Sequence, residues 1–248
     1  MELDKIRERL IELEDIIIKG LYERAHYKQN LPIYEYNAEE FKYKNNFDGT
    51  YFDFMFKQIE NVHSIAGRYK CFDERPFYRG LQECRVEREY NSHIPDNILK
   101  YSNKINSSPW IKIAYFNFIT ELCEEGKDAH YGDSVLSDIF NLQAISKRIH
   151  YGILVMEAKY KESQYLYDKL LLQNSKQSGH IHVEQVCDIS IKAQLKNVNI
   201  EQETLERVKE KSIKTGFEKP DIIVKFFKYC IIPMTIQIEL DYIFSKRI

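Results

Sequence analysis

The chain has 248 residues, with 36 Lys and Arg against 38 Asp and Glu, so its formal net charge is −2 at neutral pH. Proteins that bind nucleic acid usually carry a basic excess, so this balance argues against that class. Hydrophobic residues make up 44% and charged residues 30%, which is typical of a globular protein and excludes a disordered or fibrous chain. Only 9 Gly and 6 Pro are present, which favours long helices over many short strands and hairpins.

Hydrophobic periodicity predicts helices along most of the chain. The predicted helices cover residues 3–25, 51–69, 109–122, 134–161, 165–174, 183–196 and 201–215, with Gly216 as a stop signal for the last of these. Residues 29–50 are predicted as a loop or crossover, and residues 71–106 are the least regular stretch. Residues 232–240 alternate as in a strand, but the length of the final segment and the absence of a partner strand favour a helix.

These elements predict an all-α fold with one multi-helix domain over residues 1–248 and a long central helix. No apolar run approaches the roughly 18 residues that a membrane-spanning helix needs. The charged N-terminus has no signal or transit character. Five scattered cysteines without a Cys-x-x-Cys motif indicate reduced thiols in a cytoplasmic protein, not a zinc site or disulfide framework. His180 and His182 could offer two metal ligands, but no third is evident, so we expect no metal site.

The predicted helix over residues 134–161 carries two cations beside its apolar stripe. Arg148 and Lys159 lie on one side, about three turns apart, with Gly152 between them. One interpretation is a slot for a small anion with a cation at either end. The alternative is that both side chains extend to solvent and Gly152 is only tolerated. Arg7 has a similar place beside the first helix's stripe, where the alternative is an ion pair with a neighbour such as Glu14.

Polar residues also recur four apart in two later segments. Thr235 and Glu239 share a face if the last segment is helical, and the rest of that face is apolar. A carboxylate there is costly unless it is paired or protonated. Asn197 and Glu201 stand at the start of the charged helix, where the alternative is that Asn197 or Asn199 caps the helix and Glu201 favours its positive end.

Several motifs of the chain together resemble those of a known protein family. Leu142–Gly152, followed by Glu157–Tyr160, resembles the signature of the all-helical chorismate mutases of the eukaryotic, dimeric, feedback-regulated type. Ile6–Leu10 resembles the first helix of that family, and Pro233–Thr235 resembles the start of its last helix. The resemblance runs through nearly the whole chain in collinear order and is weakest from about residue 70 to residue 128.

The resemblance implies an isomerase that rearranges chorismate to prephenate, the committed step of the shikimate pathway towards phenylalanine and tyrosine. It implies a cytoplasmic homodimer with an active site inside each subunit's helix bundle, and no cofactor, nucleic acid or membrane as partner. The alternative from another class is a catalytically inactive helical homologue with a regulatory or partner-binding role. The matching site residues argue against that alternative, because a homologue that had lost the activity would have replaced several of them. A third hypothesis is that the chain is an unrelated helical scaffold.

Seven residues are carried over from the family pattern as catalytic. The resemblance implies that Arg7 and Arg148 bind the substrate carboxylates, and that Lys159 and protonated Glu239 donate to the ether oxygen. It implies that Asn197 and Glu201 contact the ring hydroxyl and a carboxylate region, and that Thr235 supports the site. The residue types suit the chemistry of a unimolecular rearrangement. The enzyme has to hold the substrate in its reactive conformer and to donate hydrogen bonds to the oxygen of the ether bond that breaks.

The chain departs from the family at its effector site. Where the family has an arginine pair, this chain has Gly67 and Arg68, and where a turn threonine is expected it has Leu136. We therefore expect weak or no response to tyrosine and tryptophan. The surrounding segment, residues 65–136, is interpreted as a divergent regulatory or dimerisation-type region whose effector-site remnants are Arg68, Gly132 and Asp133.

Overall fold

The computed structural model of the protein describes residues 3–42, 47–71, 73–86, 98, 105–175 and 191–246. These ranges contain no β-strand, and the predicted all-α fold is confirmed. The α-helices are α1 (Leu3–Ala25), α2 (Tyr51–Ile65), α3 (Ser108–Leu122), α4 (Tyr131–His150), α5 (Gly152–Glu162), α6 (Gln164–Ser175), α7 (Val198–Thr215), α8 (Pro220–Phe226) and α9 (Ile232–Ser245). Residues 191–195 are also helical. His180, His182 and residues 183–190 of a predicted helix lie outside the described residues.

The core forms where α1 packs along α4. Buried residues of α1 lie four or seven positions apart on one face, as the pattern predicts: Ile6, Leu13, Ile17 and Leu21. One buried ion pair also joins the two helices, since Arg24 Nε donates to Asp138 Oδ1 at 2.8 Å. The hydroxyl of Tyr115 on α3 donates to the same carboxylate at 2.8 Å. Removing one partner would leave a buried charge uncompensated, which typically costs about 3–5 kcal/mol.

The predicted helix over residues 134–161 begins earlier than predicted and is divided at Tyr151. The backbone N–H of Tyr151 still donates to Lys147 O at 3.0 Å, and that of Val155 donates to Tyr151 O at 3.3 Å. The chain therefore continues from α4 into α5 with only a local irregularity. The predicted apolar stripe is fully buried: Leu142, Ile145, Ile149, Ile153 and Met156.

Gly152 lies where α5 meets α9. A Cβ on Gly152 would lie 2.9 Å from the carbonyl oxygen of Thr235 and 3.1 Å from its Cγ2 atom. Atoms this close to a Cβ would have to move, so glycine allows the two helices to approach. Gly152 therefore makes room for a neighbouring helix, and not directly for the small anion that the slot interpretation expects.

The final segment is helical, as its length predicts. It consists of α8, a π-helical turn over Phe227–Ile231, and α9. Pro233 has no N–H, and its ring would clash with the carbonyl four residues earlier in a regular helix. That carbonyl belongs to Tyr229, which lies in the wider π turn. Before this segment, Gly216 ends α7 with a left-handed φ of 109°, a conformation that glycine adopts without strain.

Within the ranges given above, no helix is both long and apolar enough to cross a membrane. In the same ranges, no three His, Cys, Asp or Glu side chains are grouped so that they could hold a metal ion. The cysteines in these ranges have free thiols, and they are Cys71, Cys84, Cys123 and Cys230.

Candidate active site

One cavity of about 340 Å³ lies among α1, the α4–α5 pair, α7 and α9. Its volume is within the range of small-molecule sites. All seven residues that the sequence predicts as catalytic line this cavity: Arg7, Arg148, Lys159, Asn197, Glu201, Thr235 and Glu239. The structure thus brings together groups up to 232 positions apart, from Arg7 to Glu239.

Arg148 is the buried cation of the cavity, with 6% of its surface exposed. Its Nη1 donates to Thr235 Oγ1 at 3.4 Å, and its Nη2 lies 3.8 Å from Glu14 Oε1. Its Nε has no hydrogen-bond partner among the described residues. Burial lowers the pKa of Arg148, but a guanidinium remains charged in proteins. A buried guanidinium with long contacts and an unused N–H is suited to bind a carboxylate.

The carboxylate of Glu14 stands behind Arg148 and does not pair with Arg7. Glu14 is buried and accepts hydrogen bonds from Arg207, at 2.8 Å from Nε and 3.1 Å from Nη2. Arg7 instead lies 3.2 Å from Asp4, and 46% of its side chain is exposed. The alternative of an ion pair with a neighbour is therefore met, but by Asp4 and not by Glu14. Exposed pairs stabilise a protein by about 0–1 kcal/mol, so the pair with Asp4 leaves Arg7 able to turn to a ligand.

Lys159 and Glu239 meet across α5 and α9. Lys159 Nζ donates to Glu239 Oε2 at 2.8 Å and to the carbonyl oxygen of Leu195 at 3.4 Å. Burial raises the pKa of Glu239, while Lys159 and Arg148 oppose that change, and the net direction is upward. Glu239 therefore takes up a proton at higher pH than an ordinary glutamate. Only the protonated carboxyl group can donate a hydrogen bond.

Three further predicted residues complete the polar lining. Asn197 Oδ1 accepts from the backbone N–H of Ile200 at 3.2 Å, so Asn197 caps α7 and also lines the cavity. The cap uses the side-chain oxygen and leaves the amide N–H groups as donors. Glu201 Oε1 is buried without a hydrogen-bond partner in the described part of the chain. Thr235 donates to the carbonyl oxygen of Ile231 at 2.8 Å, which fixes its hydroxyl beside the cavity.

Sequence reasoning missed some of the lining. Tyr167 on α6 is buried and lines the cavity, and the exposed residues Ser163 and Gln194 also line it. The periodicity predicts the helix that carries Tyr167. It does not show which of the tyrosines near that helix turns towards the cavity.

The remnants assigned to an effector site do not form one cluster in the protomer. Arg68 donates to Glu74 Oε2 at 3.0 Å and 2.9 Å, and to Gln143 Oε1 on α4 at 2.8 Å. Asp133 lies exposed on the first turn of α4, next to Gly132. Gln143 and Asp133 are separated by about 15 Å along that helix, at 1.5 Å per residue. Arg68 is therefore bound to side chains of Glu74 and Gln143 and lies far from the other remnants.

No family model matches the chain. A curated relative, chorismate mutase 1 of Zea mays, described as chloroplastic, is 32% identical over 253 residues, which cover 99% of this chain and 79% of the relative. The crystal structure of the chloroplast chorismate mutase from Zea mays has a TM-score of 0.85 at 31% identity and covers 99% of this chain and 95% of that chain.

Two further solved structures hold amino acids. Chorismate mutase from Candida albicans in complex with L-Trp has a TM-score of 0.85 at 32% identity, covering 98% of this chain and 90% of that one. AtCM1 with tyrosine bound in its allosteric site has a TM-score of 0.84 at 29% identity, covering 99% and 96%. These ligands count against the expectation of weak effector binding. The full-length similarity shows that this chain belongs to the chorismate mutase family of isomerases.

Proposed function

We propose that this chain rearranges chorismate to prephenate in the 340 Å³ cavity. The observation that carries the proposal is the convergence of Arg148, Lys159 and Glu239 on that cavity from three helices. In this unimolecular reaction the ether C–O bond breaks as a C–C bond forms, without a covalent enzyme intermediate. The protein has to hold the dicarboxylate in its compact conformer and stabilise negative charge at the ether oxygen.

Two arginines supply the positive charge for the two carboxylates. Arg148 offers a buried guanidinium with an unused Nε–H, so a substrate carboxylate would satisfy a donor that otherwise costs free energy. Arg7 lies at the exposed margin and engages the second carboxylate. Thr235 contacts Arg148 and limits the positions that its guanidinium can take.

Lys159 and Glu239 act on the ether oxygen. When Glu239 is ionised it accepts the Lys159 hydrogen bond, and neither oxygen of the carboxylate can donate. When Glu239 is protonated, it and Lys159 form a pair of donors. The raised pKa of Glu239 favours the protonated form, and the developing negative charge on the ether oxygen strengthens both hydrogen bonds in the transition state.

The ring hydroxyl of chorismate would lie near the start of α7. The unpartnered Oε1 of Glu201 is an acceptor for that hydroxyl, and the amide of Asn197 is a donor to the neighbouring carboxylate region. Both roles follow from unused hydrogen-bonding capacity in the described part of the site.

Regulation and assembly belong to the same proposal. We expect a cytoplasmic homodimer with one domain over residues 1–248 and a regulatory or dimerisation-type segment over residues 65–136. The effector-bound neighbours favour an allosteric site in this chain, in an altered form. Because the Arg68 guanidinium is already bound to Glu74 and Leu136 offers no hydroxyl, we propose a weaker response to tyrosine and tryptophan than an intact arginine pair would give.

The experiment is to add micromolar protein to chorismate and follow the loss of chorismate ultraviolet absorbance, with prephenate identified by nuclear magnetic resonance. The proposal predicts that each chorismate consumed gives one prephenate, and that each protein molecule converts many chorismate molecules. An inactive helical homologue predicts no loss of absorbance beyond the uncatalysed rate.

A further inference from the structure

Tyr167 brings an aromatic hydroxyl to the catalytic cavity from a helix that carries none of the seven predicted residues. It lies on α6, and only 5% of its surface is exposed. It is the only aromatic residue among the described residues that line the cavity. Its ring is packed in the protein, so its position is fixed before any ligand binds.

Within the described part of the chain, no hydrogen bond of the Tyr167 hydroxyl is seen, and the side chain lines the cavity. Other tyrosines nearby are matched, since Tyr242 donates to Glu157 at 2.9 Å and Tyr160 donates to Asp168 at 2.7 Å. Buried tyrosines usually find a partner for the O–H group. The hydroxyl of Tyr167 can therefore form a hydrogen bond with the molecule that fills the cavity.

Tyr167 keeps its proton under working conditions. Burial raises its pKa, and the carboxylates of Glu239 and Glu162 raise it further. A tyrosine held in this form donates a hydrogen bond and carries no charge. Tyr167 lines the same cavity as Lys159 and Glu239.

We propose that Tyr167 is a further catalytic residue, whose hydroxyl donates a hydrogen bond to a substrate oxygen beside the Lys159–Glu239 pair. This inference rests on the proposed function, because it takes chorismate as the occupant. The ether oxygen and the enolpyruvyl carboxylate lie at the bond that breaks, and both attract a neutral donor as charge develops. A donor in place before binding favours the transition state without a cost of reorganisation.

The test is to compare Tyr167→Phe with wild type, using Tyr160→Phe as the matched control. Phenylalanine keeps the buried ring and removes only the hydroxyl. The Tyr160 ring centroid lies 6.3 Å from that of Tyr167, but Tyr160 does not line the cavity. We expect kcat/KM to fall about ten- to a hundredfold in Tyr167→Phe, as for loss of a hydrogen bond to a charged group. Tyr160→Phe should keep the wild-type rate, and both variants should keep wild-type circular dichroism.

The pH profile separates substrate contact from an effect on Glu239. With direct contact, the alkaline limb of kcat/KM stays at the wild-type pH in Tyr167→Phe. A wild-type rate in Tyr167→Phe would overturn the inference, and so would a reduced rate accompanied by a shifted alkaline limb. An inactive wild-type protein would instead overturn the proposed function, and the inference with it.

Discussion

The candidate catalytic cavity and the Arg68 cluster differ in how completely their charged side chains are paired. We define the Arg68 cluster as Arg68, Asp73, Glu74, Gln143 and Lys147. In the cluster, Arg68 donates to Glu74 and Gln143, and Lys147 lies 3.1 Å from Asp73 and 3.0 Å from Glu74. In the cavity, by contrast, one guanidinium nitrogen and one carboxylate oxygen are buried without partners among the described residues.

The difference indicates where a ligand completes the structure. A buried polar group without a partner costs about 1–3 kcal/mol, and a bound molecule that supplies the partner removes this cost. A cluster whose charges already satisfy one another holds helices together and has less to gain from a ligand. The following predictions use this contrast, from the largest expected effect to the smallest.

The contrast is tested most strongly by two cavity variants. Arg148→Ala and Lys159→Ala should each lower kcat/KM at least about a hundredfold, because losing one preorganised donor to developing charge costs about 2.7–4 kcal/mol. Lys147→Ala is the matched control, since Lys147 neighbours Arg148 on α4 but belongs to the Arg68 cluster. It should keep most of the activity. Normal turnover in both cavity variants, with unchanged circular dichroism, would contradict the assignment.

The second prediction concerns pH. Because the protonated form of Glu239 is the donor, activity is retained below its raised pKa and lost as pH rises through it. Above that pKa, kcat/KM should fall about tenfold per pH unit, as expected for one essential acid. Glu239→Gln keeps a donor at every pH, so its profile should flatten on the alkaline side. The same alkaline decline in both proteins would show that another group titrates.

The third prediction compares two glycines, Gly152 at the contact between α5 and α9 and Gly132 at the start of α4. Gly152→Ala should destabilise the protein by about 1–3 kcal/mol, because its Cβ overpacks the contact with α9. It should also lower kcat/KM, since Thr235 and Glu239 move with that helix. A Cβ on Gly132 would meet no atom within 4 Å, so Gly132→Ala is the control and should change neither property. Urea unfolding and initial rates measure both, and equal stabilities of the two variants would refute the close contact.

The smallest expected effect is on regulation. Loss of one charged hydrogen bond costs about 1.5–3 kcal/mol, so the changes at Gly67 and Leu136 should weaken effector binding. Initial rates at about a hundred micromolar tyrosine or tryptophan, an effector level far above a micromolar Kd, should therefore change less than an intact arginine pair would allow. Strong inhibition by tyrosine that tryptophan relieves would contradict this prediction and agree with the ligands of the solved neighbours.

Hydrophobic periodicity was enough to predict most of the helices. The apolar repeat from Ile6 to Leu21 corresponds to a face that is buried against α4, and the stop at Gly216 needs only local backbone geometry. The resemblance then predicted seven of the residues that line the cavity, because their motifs recur in collinear order. These features depend on local sequence or on shared ancestry, and neither requires knowledge of how distant side chains meet.

The errors concern contacts between distant segments. A helical wheel places Gly152 between two cations, but it cannot show that α9 approaches that side. Arg7 and Glu14 are near in sequence, yet Arg207, some 193 positions further on, takes the carboxylate. Tyr167 was missed for the same reason, since its importance comes from the cavity formed by other helices.

The central claim is that the cavity is complementary to the transition state of a dicarboxylate rearrangement. Its most direct test is a calorimetric titration of the wild-type protein with a stable bicyclic dicarboxylate ether that mimics this transition state. The account predicts one site per chain and an affinity at least about a hundredfold above that for chorismate, as for other transition-state analogues. It also predicts that Arg148→Ala loses this affinity and Lys147→Ala keeps it. Absence of binding, or equal binding in wild type and Arg148→Ala, would contradict the account.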